Sequence, residues 1–364
     1  MRLHPTFAAY IGRQFLTWWL SAFLVLVALI ALFDTIENLR RTASWADSSA
    51  LDAITMMAFK LPHLAQEAIP FTVLFGGMMA FWRLNRHQEF IVARSSGISA
   101  WEFLLPALFL CLAIGVVKAT IYSPFASAMM LRFEQLENRR SVGKSSLAAI
   151  SGDGLWLRQN LPEGHYILHA AAIDPTNMTL ERVIVFRMEK PNRFISRIDA
   201  KSATLGTKKW HLKNVSITGP ETPLRQASQV QIPTDLTGEN IQDSFAKPET
   251  MSFWALPGFI DVLEKAGFSG LRHRIYWYSL IADPFLFCAM VLFAAAFTLR
   301  PQRRGGATVI LASGVATGFI IYFASDVVYA LGLSARLPAL LAAWSPAAIG
   351  CLLGAGVLFH LEDG

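Results

Sequence analysis

The sequence predicts a membrane α-helical protein of six transmembrane helices, with an all-β domain inserted between the third and the fourth helix. Three observations support this prediction. Hydrophobic residues make up 54% of the 364-residue chain and charged residues only 16%, whereas soluble domains carry about 25% charged residues. Six apolar stretches have the length of about 20 residues that a bilayer core requires. One long polar segment of short alternating runs separates the third stretch from the fourth.

Each apolar stretch predicts one membrane-spanning helix. The predicted spans are 15–33, 64–82, 101–122, 276–299, 307–331 and 337–360. The first span exceeds the apolar part of a signal peptide, which has about 7–15 residues, so we expect it to be retained. Polar residues precede the second span, which leaves open whether residues 50–61 form a separate amphipathic segment at the interface.

The distribution of arginine predicts the orientation. Short cytoplasmic loops are enriched in Lys and Arg, and one set of predicted loops holds Arg2, Arg13, Arg83, Arg86, Arg94, Arg300, Arg303 and Arg304. The opposite short loops hold Arg40, Arg41 and Arg336, diluted by acidic residues. Both termini are therefore predicted to be cytoplasmic, with residues 123–270 outside the cytoplasm. This divides the chain into residues 1–122, 123–270 and 271–364.

The inserted segment predicts short strands followed by one helix. Alternating apolar patterns mark strands over 154–159, 165–174, 180–189, 194–205, 209–218 and 227–232. Turn signals between them, and the short spacing, suggest an antiparallel sandwich. Apolar residues at three- and four-residue spacing then predict a helix over 252–267, which Gly267 can terminate.

The predicted cytoplasmic loop 83–99 differs from an ordinary solvated loop because it carries Phe90, Ile91 and Val92 in succession. Gly97 can end a short helix in the left-handed conformation. Ser99 and Glu102 have the spacing of a capping box, which begins the third span. The loop is thus predicted to be a short helix, a glycine break and a new helix start. It is either a docking element for a cytoplasmic protein or an ordinary amphipathic connector.

Three charged residues fall inside or near predicted spans, namely Asp283, Asp326 and Lys118. Charges at such depth are costly and are often functional. Two interpretations of Asp326 stay open: it pairs with a cation at a helix interface, or it lies close enough to the membrane surface to be solvated. Gly314 and Gly318 give the fifth span a face of small residues, which permits close helix approach.

Several classes of function are excluded by missing patterns. Gly143-Lys144-Ser145 resembles the end of a P-loop, but Asn138 stands where the motif requires glycine. His165 and His169 share a strand face without any further metal-ligand pattern, so no metal site is predicted. The charge of +6 comes without a dense basic cluster interleaved with aromatic residues, which disfavours nucleic-acid binding. Sequence signatures of hydrolases are also missing, so the chain is predicted to be non-catalytic and to bind no cofactor.

The ordered motifs resemble the LptF/LptG permease family, the membrane subunits of the lipopolysaccharide export ABC transporter. The family's cytoplasmic loop, a Glu followed by apolar residues and a small-residue–Gly turn, corresponds to residues 89–97 here. Further motifs are Tyr10-Ile11-Gly12-Arg13, Pro70 to Gly76, Ser252 to Ile260 and His273-Arg274. The resemblance covers nearly the whole chain and is closer to LptG than to LptF.

The resemblance implies the fold and the partners. The insert is expected to be a periplasmic β-jellyroll, and the protein to lie in the cell inner membrane. The expected partners are an LptF-like paralogous permease, an LptB ATPase dimer that uses ATP and Mg, and LptC with the periplasmic bridge. The cargo is lipopolysaccharide, and the process serves outer-membrane biogenesis. No nucleic acid is expected to bind.

The resemblance also implies roles for individual residues. Glu89, with Phe90, Arg94 and Gly97, is expected to couple the permease to the ATPase. Arg40 and Arg41 stand where LptG often has two lysines, and with Arg132 they are expected to contact lipopolysaccharide phosphates; arginine binds phosphate bidentately, unlike lysine. Gly314, Gly318 and Asp326 are expected at a gate or interface, because spans one and five form the lateral gates in this family.

Three alternatives stay open. The chain is an LptF-type or other lipid-export permease, a membrane-anchored periplasmic scaffold, or an enzyme that acts on lipid.

Overall fold

The structure, a computed structural model, describes residues 5–42, 50–140, 147–151, 154–161, 164–174, 179–189, 193–206, 209–220, 224–234, 246–265, 268–299 and 307–362. The chain forms two compact units. The helical unit comprises Met1–Phe133, Ser252–Trp254 and Ile275–Gly364, and the β unit comprises Glu134–Met251 and Ala255–Arg274.

The described helices confirm the predicted spans. They are α1 (Pro5–Thr42), α2 (Ala50–Arg86), α3 (Glu89–Ser95), α4 (Ala100–Val117), a π-helical turn (Lys118–Tyr122), α5 (Ser123–Arg140), α6 (Leu256–Lys265), α7 (Leu271–Thr298), α8 (Ala307–Leu333) and α9 (Ala339–Glu362). Within the described residues, six helices are long and apolar enough to cross a membrane. The third of these six helices consists of α4, the π-helical turn and most of α5, which follow one another without a break.

The second span is longer than its apolar run. Residues 50–61 belong to α2, which continues to Arg86 with two prolines in its interior. A separate interfacial segment is therefore not observed. The reason is tertiary packing: Ala53 and Met56 are buried, and the Lys60 ammonium lies 2.7 Å from the Asp34 carboxylate of α1.

The core of the helical unit lies between α1, α2, α4 and α7. Phe15, Phe81, Phe103 and Phe287 are all fully buried there. Each spanning helix contains an apolar stretch of 18 residues. In α2 and in α7, 67% of the residues in this stretch are buried, whereas only 6% are buried in α1 and 11% in α8. The helical unit thus has a packed centre, and α1 and α8 expose apolar faces.

The described strands of the β unit form one antiparallel sheet. Its described strands are β1 (Leu147–Ser151), β2 (Gly154–Leu161), β3 (Gly164–Asp174), β4 (Thr179–Glu189), β5 (Arg193–Gly206), β6 (Lys209–Thr218) and β7 (Arg225–Pro233). They are joined in chain order into one seven-stranded sheet. The six predicted strands are confirmed, whereas β1 was missed because Ala148 and Ala149 give little strand signal.

The strand order shows how this unit forms its core. Each strand pairs with the next one in the chain, so the described strands form one continuous sheet rather than the two separate sheets of a simple sandwich. Alternate side chains of the sheet build one buried face, including Leu155, Leu168, Val185 and Leu212.

The helix that follows the sheet is shorter than predicted. It begins at Leu256, not at Ser252, because Pro257 fits the first turn of a helix, where its missing N–H costs nothing. Leu263 and Phe268 belong to the core of the β unit. Gly267, the predicted terminator, lies outside the described residues.

Candidate functional site

The loop between the second and third spans folds as the sequence predicts. The helix α3 follows Gln88, which has a left-handed φ of 61°. It ends in a Schellman motif, in which Ile98 N–H donates to the Ala93 carbonyl at 3.1 Å and Gly97 N–H donates to the Arg94 carbonyl at 3.0 Å. Gly97 has φ 84°, a conformation that glycine adopts at little cost.

A capping box starts the next helix. The Ser99 hydroxyl accepts a hydrogen bond of 3.1 Å from Glu102 N–H, and Ser99 N–H donates to the Glu102 carboxylate at 3.3 Å. The two bonds satisfy N–H groups that have no partner inside the helix. The Schellman motif and the capping box together fix α3 between α2 and α4.

The two faces of α3 differ in exposure. Phe90 is 6% exposed and Ala93 is also buried. The Phe90 ring packs edge-on against Phe103 of α4, with ring centroids 5.1 Å apart. On the other face Ile91 and Val92 are 54% and 62% exposed. An anchored helix with outward apolar side chains is suited to bind another protein.

The predicted coupling residues lie on or beside this helix. Glu89, in the first turn, accepts a hydrogen bond of 3.1 Å from the Tyr10 hydroxyl of α1. Arg94 is exposed, and its guanidinium carbon lies 6.0 Å from the Phe90 ring centroid. An acidic group at the start of α3 and a basic group near its end both complement the helix dipole.

The predicted phosphate contacts lie at the distal ends of the first and third spans. Arg40, on the last turns of α1, pairs with Glu37 at 2.9 Å, and its side chain is 79% exposed. Such surface pairs contribute about 1 kcal/mol or less, so an incoming phosphate can displace Glu37. Arg132 is exposed on α5. The side chain of Arg41 lies outside the described residues.

The small face of the fifth span packs within the chain. A methyl group added at Gly314 would meet the Met78 side chain, and one at Gly318 would lie 3.3 Å from the Phe71 ring. Both neighbours belong to α2. Asp326, two turns further along α8, is exposed and hydrogen-bonded to Tyr322. The role of these residues at a gate or interface stays a prediction.

Ion pairs that join distant helices were not identified from the sequence. Lys118 of the π-helical turn pairs with Asp283 of α7. Asp34 of α1 binds Lys60 of α2 and also accepts from Asn38 at 2.8 Å. The sequence marked Lys118 and Asp283 as intramembrane charges, but only the helix packing identifies them as partners.

Comparison with known proteins matches nearly the whole chain to one protein family. The family model described as lipopolysaccharide export system permease LptF/LptG matches residues 9–360. The chain is 20% identical over 347 residues to the lipopolysaccharide export system permease protein LptG of Haemophilus influenzae, covering 94% of each chain. It is 22% identical over 364 residues to the protein of the same name from Escherichia coli K12, covering 96% of this chain and 97% of that protein.

Proposed function

Because the chain belongs to the LptF/LptG family of lipopolysaccharide export permeases, we propose that it is a permease subunit of an ABC transporter that extracts lipopolysaccharide from the inner membrane. It passes this lipid to a periplasmic bridge toward the outer membrane. The observation that carries the proposal is the family match over residues 9–360. It is supported by the combination of six spans, an inserted β unit and an anchored helix with exposed apolar residues.

The energy comes from a separate ATPase subunit. An LptB-type dimer binds ATP and Mg and docks on α3, where Ile91 and Val92 are exposed. Glu89 and Arg94 supply charges of opposite sign beside this apolar surface, which set the orientation of a docked partner. The permease chain itself binds no cofactor and catalyses no reaction.

A second permease, an LptF-like paralogue, packs beside the exposed helices. The low burial of α1 and α8 supports this, because 6% and 11% of the residues in their apolar stretches are buried within the described part of the chain. Lipid or a second chain covers such faces in a membrane. Close packing against a second permease would create lateral gates for a lipid with several acyl chains.

The cargo is recognised by its two chemical parts. Each methylene group favours an apolar environment by about 0.8 kcal/mol, so acyl chains move at little cost from the bilayer into an equally apolar cavity. Arg40, Arg41 and Arg132 bind the anionic phosphates by charge-assisted hydrogen bonds. When the ATPase subunits bind ATP, the apolar cavity that holds the acyl chains would then collapse and expel the lipid.

The proposed orientation of the chain in the membrane fits this direction of lipid transport. Both termini and α3 lie in the cytoplasm, as the arginine distribution favours, and the β unit lies in the periplasm. The terminal strands β1 and β7 each pair with only one neighbour among the described strands. LptC and the bridge extend the sheet at one of these edges by strand addition.

Reconstitution of the chain with its paralogue and ATPase tests this function. Proteoliposomes loaded with lipopolysaccharide are expected to release it to an added bridge protein only with ATP. Ile91→Asp is expected to abolish release and ATPase binding, whereas Ser95→Ala, which removes an exposed hydroxyl bonded to the backbone of its own helix, is the control. Release that continues without the ATPase would contradict the proposal. Normal release by the Ile91→Asp variant would favour the scaffold alternative.

A further inference from the structure

The third span changes its helical hydrogen-bond pattern at one place, the π-helical turn Lys118–Tyr122. Ser123 N–H donates to the carbonyl of Lys118, five residues earlier rather than four. The sequence supplies the cause, because Pro124 has no N–H and its ring crowds the carbonyl four residues before it. That carbonyl belongs to Thr120, inside the turn. A widened turn moves it away from the proline ring, and such turns are frequent at functional sites.

The Thr120 carbonyl has a donor from outside the span. In an unbroken α-helix it would accept from the N–H of residue 124, which the proline lacks. The indole Nε1–H of Trp254 donates to it instead, at 3.1 Å. Trp254 is the last residue of Ser252–Trp254, the short segment that belongs to the helical unit. A side chain thus supplies the donor that Pro124 withholds from the helix.

The turn is held firmly where it packs on α7. Lys118 is buried and pairs with Asp283 of that helix. Three residues earlier, a Cβ atom at Gly115 would lie 2.5 Å from the Cα of Pro284, so the two helices approach closely there. Separating these contacts is costly, because a buried charge would lose its partner and a packed interface would open. The end of α4 is therefore fixed on α7.

The turn also has an exposed side, where it is held more weakly. Ile121 is 67% exposed and Trp254 is 66% exposed. The bond between Trp254 and Thr120 joins two neutral groups, so it contributes less than a buried ion pair loses when one partner is removed. The segment that carries Trp254 is itself held on α7, where the ring of Phe253 stacks on Trp277 with centroids 6.3 Å apart. The exposed bond is therefore the contact that opens first.

We propose that the π-helical turn is a hinge in the third span and that the bond from Trp254 to Thr120 is its latch. While the latch is closed, residues 123–133, the part of α5 in the helical unit, stay close to α7. When the latch opens, these residues turn away from α7. They turn about Tyr122, whose hydroxyl donates to the Pro62 carbonyl of α2 at 3.1 Å. Trp254 is thus a positioning residue for the outer part of the span.

The hinge lies between two parts of the proposed transport machinery, and this link rests on the proposed function. The helix α4 begins at the capping box that follows α3, the proposed ATPase-binding helix. Arg132, a proposed phosphate contact, lies on α5 about 15 Å beyond the turn. Motion of α3 and α4 after ATP binding therefore opens the latch and moves Arg132 away from α7. The hinge in this way controls when the lipid phosphates are held.

The first arm of the test uses the purified full-length chain in nanodiscs and measures the distance between two spin labels by double electron–electron resonance. The natural thiols are first removed by Cys111→Ala, Cys288→Ala and Cys351→Ala. The labels are attached at Leu131→Cys of α5 and Phe285→Cys of α7, both exposed positions. Leu131 lies about 14 Å along the helix from Tyr122, so a turn of about 20° displaces it by about 5 Å.

Trp254→Phe keeps an aromatic ring and removes the donor. It is expected to lengthen the distance between the labels by about 5 Å, because the latch is lost. Trp156→Phe, which removes an exposed indole N–H from the β unit, is the matched control and is expected to leave the distance unchanged.

A second variant separates a latch from a general structural role of Trp254. Pro124→Ala returns an N–H to the helix, so its addition to Trp254→Phe is expected to restore the original distance. An unchanged distance in Trp254→Phe overturns the hinge, and so does a lengthened distance that Pro124→Ala fails to restore.

The second arm uses the complex of the chain with its paralogue and ATPase. The distance is expected to increase by about 5 Å when ATP binds, and Trp254→Phe is expected to show the longer distance with or without ATP. If ATP drives lipid release while the distance stays constant, the hinge inference fails and the proposed function stands. If the chain alone responds to Trp254→Phe but ATP drives no lipid release, the proposed function fails and the hinge stands.

Discussion

The hydroxyl group of Tyr10 donates a hydrogen bond of 3.1 Å to Glu89, joining α1 to the short helix α3 across 79 residues of chain. The contact matters because α1 is the least buried of the six spans, whereas α3 carries the proposed surface for the ATPase. A displacement of α3 therefore acts directly on α1. In the proposed transporter, this bond is a direct contact between the helix that binds the ATPase and an exposed span.

The first prediction concerns this bond. Tyr10→Phe removes the hydroxyl and leaves the ring, so the chain is expected to fold normally while Glu89 loses its fixed orientation. Hydrogen bonds to charged groups contribute about 1.5–3 kcal/mol, and less when exposed. Lipid-stimulated ATPase activity of the assembled complex is expected to fall by about two- to fivefold. Unchanged stimulation, with Ser95→Ala as the reference, would show that the contact has no coupling role.

The anchored face of α3 gives a second prediction. Phe90→Ala removes a buried ring that packs on Phe103, and such truncations cost about 3–5 kcal/mol. Because α3 has only 7 residues, this loss is expected to detach it and to expose the Arg94 peptide bond to trypsin. Ile91→Ala, on the exposed face, is the matched control for folding. It is expected to leave cleavage unchanged but to weaken ATPase binding; equal cleavage of the two variants would argue against the anchoring role.

Removal of the capping box is a third test. Ser99→Ala deletes the acceptor for Glu102 N–H, and loss of a helix cap costs about 1 kcal/mol. Amide exchange in the first turn of α4 is expected to accelerate about fivefold. Ser99→Thr, which keeps the hydroxyl, should restore most of the protection. Equal exchange in all three proteins would mean that tertiary contacts alone hold this turn.

The crossing of α4 and α7 gives a fourth prediction. A Cβ atom at Gly115 would lie 2.5 Å from the Cα of Pro284, so Gly115→Ala is expected to force the helices apart and destabilise the chain by about 1–3 kcal/mol. Gly356→Ala in α9, where nothing lies within 4 Å of the added methyl group, is the control. Thermal unfolding in detergent separates the two: a lower Tm is expected for Gly115→Ala only.

The β unit supplies a pH-dependent prediction. Burial of His165, helped by the charge of Arg158, lowers the pKa of its imidazole below the ordinary value of 6.5. The unfolded chain therefore binds a proton more readily than the folded one, and stability falls as the pH decreases below about 6.5. The sheet is expected to melt at a lower temperature at pH 5.5 than at pH 7.5.

The control for this prediction is His165→Gln, which cannot take up a proton in this range. Its melting temperature should change less between the two pH values than that of the natural chain. A variant with the same pH dependence would assign the effect to another group.

Local patterns in the sequence predicted most of the secondary structure. Six apolar runs gave the spans, alternating residues gave six of the seven described strands, and Ser99 with Glu102 gave a helix start. These features depend on residues that are neighbours in the chain, so hydrophobicity and hydrogen-bonding capacity along a short stretch predict them. The family resemblance likewise rested on ordered local motifs.

The sequence could not predict which face of each spanning helix is buried. A helix that is apolar all round carries no periodic signal of the side that is buried. Gly314 and Gly318 were recognised as a small face, but only the structure shows that this face packs on α2. The same ambiguity applied to residues 50–61, which tertiary packing joins to α2 despite two prolines in that helix.

The sequence alone determined which segments are apolar and long enough to cross a membrane, six of the seven described strands, and the glycine break after the helix α3, because each is specified by residues close together in the chain. Only the tertiary structure decided that Tyr10 meets Glu89, that Lys118 pairs with Asp283 and that Lys60 pairs with Asp34. The physical reason is that these contacts depend on how apolar helices rotate and approach one another. That choice is set by close packing over the whole unit.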